Sequence, residues 1–114
     1  MRIERQLSDG VTVVSIAEPT EIDAATADSF KEAVAAAIDN ARKVVLDISL
    51  VEFFDSAGMG ALLGIQKRVA QAEGRLILTG QNRAVQEVFQ MVGFDLVFDV
   101  QPDVPLAVAA LNES

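Results

Sequence analysis

An α/β fold, with a mixed sheet of four to five strands and about four helices, is what this sequence predicts. Three observations lead there. The chain opens on a β-hairpin pattern, "RIERQLSDGVTVVSI". Short continuous apolar runs, "KVVLDIS" and "RLILTG", have the character of buried parallel strands. Amphipathic helical patterns separate them, and that alternation of period is the mark of a layered α/β architecture.

Each element has a local reason. Asp9-Gly10 is a tight-turn dipeptide between two β-rich runs. Val11, Val13, Val14 and Ile16 make a second strand buried on more than one face. "EPTEID" reads as a loop, with Pro19 stopping the strand and Asp23 as the cap of the first helix. Ala27, Phe30, Val34 and Ile38 then keep helical spacing. A second helix, "SAGMGALLGIQKRVAQAEG", buries Leu62, Ile65, Val69 and Ala72, with Gly74 in the place of a C-terminal glycine. Asn82 caps a third helix with the stripe Val85, Val88, Phe89 and Val92, closed by Gly93. "FDLVFDV" reads as a short last strand and "PDVPLAVAALNE" as a final helix. No linker, repeat or low-complexity tract divides residues 1–114, so a single domain is expected.

Composition narrows the chemistry. The 114 residues are 51% apolar, enough for a core without staples. There are no cysteines and no histidines, which removes thiol chemistry, the commonest general base and the commonest neutral metal ligand. Seventeen acids against nine bases give a net charge of −8. Such a surface repels phosphate backbones and anionic membranes, so neither nucleic acid nor membrane is expected as a partner. No apolar run reaches bilayer length, and "MRIERQLSDG" has charges where a signal peptide is apolar. A soluble cytoplasmic protein is expected, with no metal and no cofactor.

The stretch "VEFFDSAGMGALLG" carries the functional signal. Asp55 and Ser56 sit where strand, loop and helix meet, and either is a good helix cap. The residues after them are nearly bare: Ala57, Gly58, Gly60, Ala61 and Gly64. Each glycine inside a helix costs about 1 kcal/mol relative to alanine, a heavy penalty for a helix that only has to fold. A bare face admits a close neighbour, either an element of this fold or another protein.

These residues also resemble a family. "DISLVEFFDSAGMGALL" is similar to the signature of STAS domains, and in particular of bacterial anti-sigma factor antagonists, with Asp47, Ser49, Phe53, Phe54, Asp55, Ser56, Ala57, Gly58, Met59, Gly60 and Leu62 fitting it. Upstream, "TEIDAATADSF" matches the family's stretch at Glu21, Ile22 and Asp23, and downstream "VFQMVGFDLVFDV" resembles its Phe-x-x-x-Gly-Leu segment. Thr20 and Phe94 depart from the usual glycine and leucine. Ala57 stands where many members have a second hydroxyl, which leaves Ser56 as the one hydroxyl of the motif.

The resemblance implies a STAS-type domain acting in a partner switch. An anti-sigma factor that is a serine kinase of the histidine-kinase-like ATPase fold binds the unphosphorylated chain, phosphorylates Ser56 and releases it. A phosphoserine phosphatase resets it. The surface so implied comprises Asp23, Phe54, Asp55, Ser56, Ala57, Gly58, Met59 and Gly60, with one of Phe53 and Phe54 supplying apolar area and the other, or both, left to the core. Other STAS roles compete: a non-switching scaffold, a subunit of a lipid or anion transport system, or a nucleotide binder. Enzyme readings lack parts. A serine hydrolase needs a base, and "FDSAG" is no nucleophile elbow. "GMGALLG" lies inside a helix with no strand directly before it, unlike a dinucleotide loop. A phosphoaspartate receiver needs an acidic pair after its first strand, where this chain has "AEPTEID".

Overall fold

The computed structural model describes residues 1–113. Strands β1 (Ile3–Ser8) and β2 (Val11–Ile16) form the antiparallel hairpin. Its turn places both Asp9 and Gly10 at positive φ, 49° and 78°, the backbone that an Asp-Gly pair tolerates best. β4 (Lys43–Asp47) joins β2 in parallel, β6 (Arg75–Thr79) joins β4, and β7 (Asp99–Gln101) joins β6. The five-stranded sheet therefore runs β1-β2-β4-β6-β7. A separate parallel pair, β3 (Thr20–Ile22) with β5 (Val51–Phe54), stands apart from it.

Strand pleating sorts the apolar runs onto two faces. Val14, Ile16, Val44, Leu46, Leu76 and Leu78 face one way, against α1 (Ala27–Ile38), α2 (Ser56–Gln71) and α3 (Arg83–Val92). Val11, Val13, Val45 and Ile77 face the other, against Ala107, Val108 and Leu111 of α4 (Val104–Asn112). Because both faces are covered, β4 and β6 carry continuous apolar runs and β2 is buried along nearly its whole length, while the edge strand β1 is largely exposed.

The main core is threaded by aromatic rings. Phe30, Phe54, Phe89, Phe94 and Phe98 contact in sequence, with centroid separations of 6.1, 5.6, 5.4 and 5.3 Å. Such pairs add about 0.5–1.5 kcal/mol each beyond the area they bury. Phe53 is the one phenylalanine left out. It points to the opposite side of the strand from Phe54 and, near the strand's end, is 42% exposed, while Phe54 is 1% exposed. Phe54, expected on the partner surface, is thus a core residue, and the exposed ring is Phe53.

Other local expectations also need correction. "TEI", expected as loop, is a strand, and "VEFF" is another, so a strand does stand directly before the "GMGALLG" helix: three or four residues are too few to show a period, and each is stabilised by pairing with the other. Asp23 is not the helix cap. The cap position of α1 is Thr26, and Asp23 instead closes the turn before it. "FDLVFDV" begins as a 3-10 turn at Phe94–Leu96, and its strand starts only at Asp99. The left-handed residue after α2 is Glu73, at φ 59°. Gly74 is required for another reason: a Cβ there would lie 2.8 Å from the Arg42 carbonyl oxygen. Val92 is half exposed rather than part of the α3 stripe. Asn82 and Gly93 do bound α3 as cap and left-handed terminator.

The adjacent phenylalanines give a contrast to test. Phe54→Ala is expected to destabilise by about 3–5 kcal/mol, and Phe53→Ala by less than about 1 kcal/mol. Urea unfolding followed by circular dichroism measures both. Equal losses would contradict this division of the pair.

Candidate functional site

The N-terminus of α2 is held by one carboxylate. Asp55, the residue before the helix, has extended backbone (φ −90°, ψ −171°). Its Oδ1 accepts from the Gly58 amide at 2.9 Å, which caps the first turn. Its Oδ2 accepts from the Ala24 amide at 3.2 Å, which ties α2 to the loop after β3. Its own amide donates to the Ile22 carbonyl at 3.1 Å. One aspartate therefore joins three segments: β5, α2 and the loop leading into α1.

Gly58 completes the joint. It is buried, and a Cβ on it would collide with the carbonyl oxygen of Ile22. The first turn of α2 rides directly on the end of β3, and only glycine allows that approach. The bare helix face thus divides by position. Gly58 serves packing within the chain. Gly64 lies under the aliphatic stem of Lys31, with a Cβ there only 2.7 Å from Lys31 Cε. Gly60 is exposed, with nothing within 4 Å of a Cβ, and Ala57 beside it is exposed too.

Asp23 lies on the neighbouring loop. Its Oδ1 accepts from the amides of Ala25 (2.9 Å) and Thr26 (3.2 Å), while the Thr26 hydroxyl accepts from the Asp23 amide and donates to the Glu21 carbonyl at 2.8 Å. This closed turn fixes Asp23 immediately after Ile22. Ile22 pairs with Phe54, the residue just before Asp55. Strand pairing therefore brings the two acidic residues to one end of the β3–β5 pair, beside Ser56.

Ser56 is the first residue of α2 and is exposed. The side-chain hydrogen bonds around it run from the Ala24 and Gly58 amides to Asp55, and among the described residues none involves the Ser56 hydroxyl. The amides of Ser56 and Ala57 belong to the first turn, where no intrahelical acceptor exists, so they point out beside that hydroxyl. Met59 is half buried against the main core, and Phe53 and Leu63 add exposed apolar area at 42% and 40%. The site is an exposed hydroxyl, two outward amides, two fixed carboxylates and a small-residue face with apolar flanks. It offers a surface to a macromolecule and an oxygen that can accept a group.

Three participants were not legible as site residues. Asn82 caps α3 through Oδ1 and also donates from Nδ2 to the Val51 and Glu52 carbonyls at 3.1 and 3.3 Å, so it holds β5 in place. The capping signal found Asn82, but nothing in sequence shows its second grip. The Ala24 amide acts through the backbone and leaves no side-chain signal. Leu63 reads as one more apolar residue of the helix until its face is seen.

Comparison with known proteins identifies the family and the fold. The family model for the STAS domain matches residues 2–107. The chain is 29% identical over 115 residues to the anti-sigma F factor antagonist of Paenibacillus polymyxa, covering 99% of this chain and 94% of that one. The crystal structure of an anti-sigma factor antagonist from Mycobacterium paratuberculosis superposes with a TM-score of 0.84 at 27% identity, over 98% of this chain and 94% of the other. The phosphorylated form of the Bacillus cell-fate determinant SpoIIAA shares the fold, with a TM-score of 0.67 at 19% identity over 97% and 100% of the two chains. Among the described residues no helix is long and apolar enough to cross a membrane.

The division of the glycines predicts opposite signs for one substitution. Gly58→Ala is expected to destabilise by about 2 kcal/mol or more, because the obstacle is backbone. Gly60→Ala is expected to stabilise by about 0.5–1 kcal/mol, through helix propensity in open space. Thermal unfolding of the two variants checks both, and a stable Gly58→Ala protein would refute the seating of α2 on β3.

Proposed function

The chain belongs to the STAS domain family, and from that premise we propose that it is an anti-sigma factor antagonist switched by phosphorylation of Ser56. Unphosphorylated, it binds an anti-sigma factor serine kinase of the histidine-kinase-like ATPase fold and so frees the sigma factor. Phosphorylation releases it, and a phosphoserine phosphatase restores it. The observation that carries this reading is the exposed, unpartnered hydroxyl of Ser56 at a helix N-terminus that is fixed on three sides. The antagonist from P. polymyxa and the phosphorylated SpoIIAA support it as relatives in sequence and in fold.

The chemistry is phosphoryl transfer to an alcohol. Ser56 Oγ attacks the γ-phosphorus of the kinase's ATP. The Oγ–P bond forms, the bond to the ADP oxygen breaks, and the Oγ proton passes to a base or to solvent. Both oxygens of Asp55 accept backbone amides, so its part is to fix the first turn of α2, the backbone that carries the hydroxyl. Asp23, locked in its turn, adds negative charge at the same edge.

The product explains release. A phosphoserine carries about −1.5 to −2 charge at neutral pH. The outward amides of Ser56 and Ala57 and the helix dipole accommodate that charge within the chain. A close partner covering Asp55 and Asp23 meets like-charge crowding and desolvation instead. Phosphorylation therefore changes the surface and leaves the fold alone.

Two measurements test the reading. With the cognate anti-sigma factor kinase and ATP, peptide mass spectrometry is expected to find one phosphate, on Ser56, and none on Ser56→Ala. Amide chemical shifts of the two forms are expected to differ at residues 22–26 and 55–60 and to coincide across the five-stranded sheet. Phosphate on another residue, or shifts spread through β2, β4 and β6, would overturn it.

A further inference from the structure

Nine cations serve this chain, and three of them line one groove. Between α1 and α2, a groove of about 260 Å³ is lined by Lys31, Lys67 and Arg68 together with Ala35, Gly64 and Gln71. Four ion pairs occur among the described residues, and none includes Lys31, Lys67 or Arg68. The nearby acids of α1, Asp28 and Glu32, are exposed and bridge none of the three. On a chain of net charge −8, a groove lined by three cations that no ion pair neutralises attracts negative charge. The Lys31 stem crosses the groove over Gly64, which brings its ammonium toward the two cations of α2.

The groove continues the face that carries the hydroxyl. Ser56, Gly60, Gly64 and Lys67 follow one another along the same side of α2. Ser56 to Gly64 is eight residues, or about 12 Å of helix. An ordinary interface buries about 800 Å² on each partner, which is wide enough to cover both.

We infer that the Lys31–Lys67–Arg68 groove is a second docking subsite, which receives an acidic segment of the same anti-sigma factor partner that covers Ser56. The inference rests on the antagonist reading above and adds the chemistry of the partner. On a −8 surface that is repulsive on average, three cations gathered in one groove favour the approach of an acidic segment along α2. It also separates two contributions. The groove supplies attraction that salt screens, and the Ser56 end supplies the contact that phosphate breaks.

The test is isothermal titration of the anti-sigma factor kinase with the wild-type chain, with Lys67→Glu/Arg68→Glu, and with Arg2→Glu/Arg83→Glu, at low and high NaCl. The two double variants reverse the same number of charges, so they share any effect of net charge. The expectation is a loss of affinity of about tenfold or more for the Lys67/Arg68 pair, beyond any change in the Arg2/Arg83 pair, together with a flatter salt dependence. Phosphoryl transfer to Ser56 at saturating kinase should persist in the variant, which separates docking from folding. Equal affinities for the two double variants would overturn the inference, as would binding of wild type, lost in Lys67→Glu/Arg68→Glu, to vesicles of anionic lipid. If wild type itself binds no anti-sigma factor, it is the antagonist reading that fails.

Discussion

The seat of α2 on the end of β3 is the constraint on which the rest of this structure depends. Gly58 presses against the Ile22 carbonyl, and Asp55 bridges the amides of Gly58 and Ala24. Two short strands, a helix and a loop are fixed at one point. Neither β3 nor β5 has residues enough to persist alone, so their pairing and this joint sustain each other. The exposed position of Ser56 follows. It is the first residue after a cap that cannot move without breaking contacts on three sides.

A second division lies one residue upstream. Phe53 and Phe54 are neighbours in sequence and opposite in environment, because a strand alternates its side chains. Phe54 stands between Phe30 and Phe89 in the aromatic chain of the core. Phe53 turns to the surface, three residues before Ser56. The same four-residue strand thus anchors the fold and presents the site. A charge added at Ser56 acts on the exposed side of that boundary, which is why the proposed switch alters binding without altering the core.

Much of the architecture is legible in the residues. The hairpin, the buried parallel runs and the helical stripes follow from period and burial, and the Asp9-Gly10, Asn82 and Gly93 signals mark their ends. What is not legible depends on contacts distant in sequence. β3 and β5 are too short for a period and exist through each other. Asp23 looks like a cap because aspartate favours that position, yet it closes a turn that Thr26 completes. The role of Gly58 needs Ile22, thirty-six positions away. The glycines of α2 read alike, and only the folded chain separates Gly58 for packing, Gly64 under Lys31 and Gly60 in the open. At the site, the residue types pointed to Ser56 and its acids, whereas the choice between Phe53 and Phe54 needed the pleat.

The most direct test of the central claim is the affinity of the anti-sigma factor kinase for the Ser56 form and for the phospho-Ser56 form, measured by titration calorimetry under one buffer. Like-charge crowding in a desolvated contact predicts a loss of about 2 kcal/mol or more, roughly thirtyfold in Kd. Equal affinity of the two forms would contradict the account: Asp55 and Ser56 would then be a helix start, and the bare face of α2 would serve packing alone.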